Sequence, residues 1–296
     1  MISGPGIVIA NFGGSIEVED EHGDIHRCVA KKNINNLVCG DRVEWGPVDN
    51  NSGRIHKVLP RNSLLSRPDP NGRVKPVAAN IDQIVIVTAS KPGINEGLID
   101  RYLIASELTG IKPVILLNKI DLLDNTALAE TKQRLSVYER IGYTLLYAST
   151  RREHGLDLLM QNLVNKTNVL VGESGVGKSS LVNSLIPEIN AQTSALSEST
   201  GTGKHTTSAS RLYHIPESGQ LIDSPGVREF GLWNITTEQA AQGYIEFHDY
   251  LGKCKFNDCR HTVEPGCAIK EAVEQGTINK ERFERYQQII ESLNSK

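Results

Sequence analysis

Residues 172–179, Gly172-Glu173-Ser174-Gly175-Val176-Gly177-Lys178-Ser179, place three glycines, a lysine and a closing hydroxyl in one short run. Glycines at this spacing let successive backbone N–H groups turn into one concavity that holds phosphate oxygens. The lysine reaches the β and γ phosphates, and the serine hydroxyl ligates Mg2+. The run follows an apolar strand pattern and opens a helical one that continues through Ser180, so a helix N-terminus adds its dipole to the cradle. Earlier in the chain, Asn118-Lys119-Ile120-Asp121 follows the apolar run 113–117, which places it at a strand's carboxyl edge, where nucleotides bind. A carboxylate at Asp121 can accept from both the N1–H and the N2 amino group of guanine, whereas adenine offers a mismatched acceptor. A third constellation, Cys254, Cys259, His261 and Cys267, supplies three thiols and one imidazole within reach of a single ion. That donor set suits one structural zinc in a closed tetrahedral site. An iron–sulfur reading fits less well, because the spacing matches neither the common cluster runs nor a Cys-x-x-Cys pair.

Further downstream, Asp223 closes a predicted strand and Gly226 follows it. Beyond a phosphate loop, such an acid can hold the Mg2+ hydration shell while the Gly226 N–H faces the γ-phosphate. Together these motifs resemble the P-loop GTPases. The resemblance implies that Lys119 lies under the base, that Asn118 braces the phosphate loop, and that Thr206 or Thr207, in the polar run 200–207, joins Ser179 around Mg2+. The loop Tyr147-Ala148-Ser149-Thr150 is a looser match to the segment that backs the base, with Ala148 and Ser149 as the expected contacts. Many GTPases carry a water-orienting glutamine where this chain has Val227, which cannot polarise a water.

The order of the motifs is permuted, with the guanine half preceding the phosphate loop. That order, together with His205-Thr206-Thr207, the run 223–230 and the Cys-Cys-His-Cys module, resembles the ribosome small-subunit-dependent GTPase A family over nearly the whole chain. The resemblance implies a multidomain α/β protein with an N-terminal oligonucleotide-binding (OB) β-barrel, a circularly permuted P-loop GTPase domain built on a doubly wound sheet, and a C-terminal helical zinc-binding module. It also implies hydrolysis of GTP to GDP and phosphate, late maturation of the small ribosomal subunit, and contact with that subunit and its ribosomal RNA. His205 is the residue to which it assigns the missing catalytic role. The family often has a basic N-terminal extension that is not seen here.

The elements that position these groups follow from periodicity. Short β-rich runs at 6–10, 15–18, 25–30, 42–45 and 52–59 suggest a small barrel, of OB or SH3 type from pattern alone. From residue 80 the pattern becomes buried strands (83–88, 113–117, 144–148, 167–171, 208–214, 220–222) alternating with helices (97–109, 125–141, 156–163, 178–185), as in a parallel sheet covered on both faces. The tail is helical around the cysteine loop, and Phe283, Tyr286, Ile290 and Leu293 form one stripe. The expected division is a barrel over 1–66, a linker over 67–79, a GTPase domain over 80–232 and a zinc module over 233–296.

Bulk properties narrow the class. The chain has 296 residues, 39% hydrophobic and 23% charged, with no run long enough for a membrane span, and it reads as a monomeric protein with no membrane partner. Its opening residues show no export signal and predict a cytoplasmic location. A net charge of -3 argues against indiscriminate nucleic-acid binding, although Arg54, Lys57, Arg61, Arg67, Arg73 and Lys75 suggest a local basic face. Cys28 and Cys39 stand apart in apolar surroundings and read as buried, unreactive thiols. Two other classes remain in view: an RNA-binding protein with GTP as a structural ligand, and a P-loop kinase, which Asp121 and the lack of an evident acceptor pocket disfavour.

Overall fold

In a computed structural model describing residues 4–49, 52–68, 73–186, 210–224 and 235–294, the chain begins with five strands. These are β1 (Gly4–Asn11), β2 (Ile16–Asp20), β3 (Ile25–Ala30), β4 (Arg42–Pro47) and β5 (Ser52–Val58). β1 pairs with both β2 and β4, so the order β1-β2-β3-β5-β4 closes on itself, with β3 and β5 parallel. This closed five-stranded barrel is of the OB type, which settles the choice that strand patterning left open. Val8, Val18, Val43, Trp45 and Ile55 fill its interior.

The segment after the barrel corrects the linker expected over 67–79. β6 (Leu64–Pro68) and β7 (Val74–Ala79) form an antiparallel two-stranded sheet, and Leu65 and Ala78 are buried in the largest core cluster. Pro76 sits in β7 without disrupting a ladder, because a two-stranded sheet is all edge. The expected basic face is also partly dismantled. Arg61 donates to both oxygens of the fully buried Asp41, at 2.7 and 2.8 Å, and Lys57 lies 3.4 Å from Glu44.

The central sheet is built from β8 (Gln83–Ala89), β9 (Lys112–Asn118), β10 (Thr144–Tyr147), β11 (Thr167–Val171), β12 (Arg211–Ile215) and β13 (Gly219–Asp223). Every residue of β8 is buried, and nearly every residue of β9, as expected of parallel strands covered on both faces. Helices α1 (Glu96–Thr109), α2 (Asn125–Arg140), α3 (Asp157–Leu163) and α4 (Lys178–Leu185) connect them. The strand order is β10-β9-β8-β11-β13-β12, parallel except for β12, and β1 of the barrel continues the sheet by pairing with β12. The chain leaves β8 toward β9 on one side and leaves β11 toward β13 on the other. That reversal opens a crevice at the carboxyl ends of β8 and β11, where α/β sheets bind ligands.

The C-terminal module contains α5 (Thr237–Gln242), α6 (Ala268–Glu274) and α7 (Lys280–Asn294). A capping box at Thr236 and Gln239 starts α5. Phe283, Tyr286, Ile289 and Ile290 of α7 pack with Tyr244 and Phe247, and the cluster reaches Ile104 of α1, which docks the module on the central domain. Among the described residues no helix is long and apolar enough to cross a membrane.

Candidate functional site

Five strand ends deliver the chemistry. β8 ends at Ala89, β9 at Asn118, β10 at Tyr147, β11 at Val171 and β13 at Asp223, all at the same edge of the parallel sheet. A cavity of about 620 Å3 opens there, within the range of nucleotide-sized pockets. Its lining joins Asn118, Lys119 and Asp121 from one half of the chain to Gly172, Ser174, Gly175, Gly177, Lys178, Ser179 and Ser180 from the other.

The phosphate loop takes its shape from glycine conformations and close packing. Gly172 has φ 138° and a Cβ there would meet the Val87 carbonyl oxygen at 2.2 Å, while Gly177 has φ 98° and a Cβ would lie 2.5 Å from Asn118 Nδ2. Neither position tolerates a side chain without moving backbone or a buried amide. Lys178 Nζ donates to the carbonyl oxygens of Gly172 and Glu173, both at 2.6 Å, and α4 begins at this lysine. Glu173 and Val176 belong to the loop but do not line the cavity; Val176 is buried in the core beneath it.

The two halves of the site are bonded to each other. Asn118 Nδ2 donates to the Val176 carbonyl at 2.9 Å, and Lys119 Nζ donates to the carbonyls of Gly175 and Lys91. Asn118 is buried, and its Oδ1 has no hydrogen-bond partner among the described residues. Asp121 is held from behind: Ser149 Oγ donates to Asp121 Oδ1 at 2.6 Å and accepts from Arg151 N at 3.1 Å. Ser149 is fully buried, as is Ala148, whose carbonyl accepts from Ile120 N. Neither of the expected base-backing contacts, Ala148 and Ser149, lines the cavity, and nor does Ile120. Thr150, Arg151 and Leu122 do line it. Arg151 and Leu122 were absent from the sequence expectation, although each directly follows a loop already singled out.

Asp223 lies at the end of β13, and the neighbouring Ser224 is buried and bonded to Ser210. His205, Thr206, Thr207 and Gly226 lie outside the described residues, as does Val227.

The second site forms in the C-terminal module. The ligating atoms of Cys254, Cys259, His261 and Cys267 all lie within 4.8 Å of one another. Cys254 Sγ is 3.9 Å from Cys267 Sγ and 3.5 Å from His261 Nδ1, which is 3.4 Å from Cys267 Sγ. A tetrahedron with zinc bond lengths of about 2.0–2.3 Å has edges of roughly 3.5–3.8 Å, so these separations fit one structural zinc ion. The close spacing of Cys259 and His261 is accommodated by a left-handed backbone at His261, φ 60°. Burial lowers the His261 pKa, favouring the neutral imidazole that a metal needs. Burial also pushes the Cys259 thiol up to about 12, so without a cation it stays protonated, and a dication is what makes it a thiolate. Cys28 and Cys39, by contrast, are buried in separate places, and burial raises their thiols to about 11 and about 12.

Comparison with known proteins places these features in one lineage. The profile of the RsgA GTPase family matches residues 58–233. The crystal structure of YjeQ from Thermotoga maritima is similar over 100% of both chains, at 31% identity and a TM-score of 0.83. The crystal structure of YloQ, described as a circularly permuted GTPase, is similar over 99% of this chain and 96% of that one, at 27% identity and a TM-score of 0.79.

Proposed function

The chain belongs to the RsgA GTPase family and is a GTP hydrolase; from that premise we propose that it binds the small ribosomal subunit and acts in its late maturation, with hydrolysis stimulated by the ribosome. The observation that carries this reading is the single cavity in which Asp121 and the phosphate loop meet although the chain reaches them in permuted order.

Within that cavity we assign Asp121 to the guanine edge, with Lys119 under the base and Asn118 bracing the loop, as their hydrogen bonds to Val176 and Gly175 support. Thr150 and Arg151 take the base-backing place, and Ser149 orients Asp121. Lys178 would neutralise the terminal phosphates, Ser179 with Thr206 or Thr207 would hold Mg2+, and Asp223 would hold its water shell. When bound, Mg2+ would supply charge neutralisation to the phosphates. Gly226 and His205 are assigned from family resemblance, His205 as the group that orients the attacking water.

The barrel (1–66) is assigned to ribosomal RNA, chiefly its phosphates, and the zinc module (233–296) to a second contact, with the β6–β7 hairpin joining the barrel to the GTPase domain (80–232). In sequence the chain runs from Asp223 through residues 225–234 to α5, so loss of the γ-phosphate can shift the zinc module relative to the nucleotide. The protein is proposed to work as a cytoplasmic monomer.

Single-turnover GTP hydrolysis with and without purified small subunits tests the proposal. Faster turnover with subunits, weakening as salt rises, is expected. Equal rates in both would leave a nucleotide-binding protein whose hydrolysis the ribosome does not govern. His205→Ala is expected to keep nucleotide affinity and lose the stimulation.

A further inference from the structure

Helix α1 touches both the phosphate loop and the C-terminal module. At its start, Asn95 Oδ1 caps the helix by accepting from Leu98 N at 3.0 Å, while Asn95 Nδ2 donates to Glu173 Oε1 of the phosphate loop at 2.6 Å. Further along, the buried Tyr102 side chain lines a small recess together with Gly172 and Glu173 of the loop. Both side chains meet the loop at residues 172–173, and neither lines the nucleotide cavity.

The same helix is gripped by α7. Arg285 donates to Glu96 Oε2 at 2.7 Å and to Asp100 Oδ2 at 2.6 Å. Arg282 donates to the other oxygen of Asp100 and to Glu246, and its guanidinium lies 4.6 Å from the centre of the Tyr244 ring. Asp100 is 0% exposed and Arg282 1%, so these charges are out of water. Burial alone would lower the Arg282 pKa, but the Asp100 and Glu246 carboxylates hold it above its ordinary value. A buried ionic cluster stabilises a fold little more than apolar packing would, yet any slip that breaks a pair strands a charge. Such a contact suits the fixing of one register of α7 against α1.

We propose that Asn95 is a positioning residue for the phosphate loop, and that the C-terminal module, by gripping Glu96 and Asp100, sets how firmly α1 holds that loop and therefore how tightly guanine nucleotide binds. The inference rests on the reading of the cavity as a guanine-nucleotide site. It gives the metal-binding module a route to the nucleotide across the back of the central domain, separate from the segment that follows Asp223. By linkage, bound nucleotide tightens the docking of α7 to the same degree.

The test is GDP affinity by calorimetry on the full, metal-loaded chain, with thermal unfolding recorded alongside. Asn95→Asp keeps an acceptor for the helix cap but cannot donate to Glu173. Arg285→Gln releases one oxygen each of Glu96, whose other oxygen stays bonded to Arg134, and of Asp100; should it fail to fold, Arg285→Lys keeps the charge and loses the two-pronged grip. Each single variant is expected to weaken GDP binding by roughly five- to tenfold, within the range of allosteric couplings. Asn95→Asp should do so with little change in unfolding temperature, which a merely structural role would not produce. In the double variant the Arg285 substitution should add little, because the route is already cut. Unchanged affinity in either single variant, or losses that simply multiply in the double, would overturn the proposal. Failure of the unmodified chain to bind GDP would instead reject the reading of the cavity on which it rests.

Discussion

Ser149 never reaches the cavity, yet its hydroxyl fixes one oxygen of Asp121 at 2.6 Å and leaves the carboxylate facing the pocket from one angle. On the proposed reading of the cavity, guanine selection depends on the Asp121 carboxylate and on the buried serine bonded to it. Asp121→Asn exchanges an acceptor for a donor. GTP affinity should fall at least a hundredfold, while a xanthine nucleotide, which carries a carbonyl in place of the N2 amino group, should bind more tightly than to the unmodified chain; competition binding with both nucleotides checks this. Ser149→Ala is expected to weaken GTP binding by only about fivefold, the loss of one orienting bond of about 1 kcal/mol. Gly177→Ala would press a methyl group onto the Asn118 amide at 2.5 Å, and it should abolish measurable nucleotide binding without unfolding the chain.

At the scale of elements, strands and helices that bury one regular face were legible in the sequence. α4 begins at Lys178 and ends at Leu185, as its pattern predicts, and β11 spans the predicted Thr167–Val171. The β6–β7 hairpin was not legible, because Pro68, Pro70 and Gly72 read as breakers when only a two-stranded ladder has to form. Arg61 was misread for a related reason. In sequence it belongs to a basic run, but Asp41 lies twenty residues away along the chain and only the barrel brings the two together. The candidate phosphate and metal ligands could be found because their spacing is local. Arg151 and the α1–α7 ion cluster could not, since their meaning comes from partners distant in sequence. Arg61→Ala should cost about 3 kcal/mol, because it leaves the buried Asp41 carboxylate unpaired, and urea unfolding followed by barrel Trp45 fluorescence measures it.

The whole molecule is a continuous sheet from barrel to central domain, with a helical module that carries the Cys254, Cys259, His261 and Cys267 cluster docked on α1. Chelation of the metal is expected to loosen that module, exposing the Phe247 and Tyr286 cluster to a hydrophobic dye while the central sheet stays folded. Returning zinc at pH 7 in weak buffer should release at least two protons per ion, because burial holds the Cys259 and Cys267 thiols protonated and binding must displace them. The circular permutation has a larger consequence: neither half of the chain contains a complete nucleotide site, and the sheet must close before Asp121 faces Lys178 across one cavity. Calorimetric titration of the intact chain with GDP and, separately, ADP in the presence of Mg2+ tests that joint site most directly. The predicted result is one equivalent of GDP bound at least a hundredfold more tightly than ADP. Equal affinity for the two, or no binding of either, would contradict it.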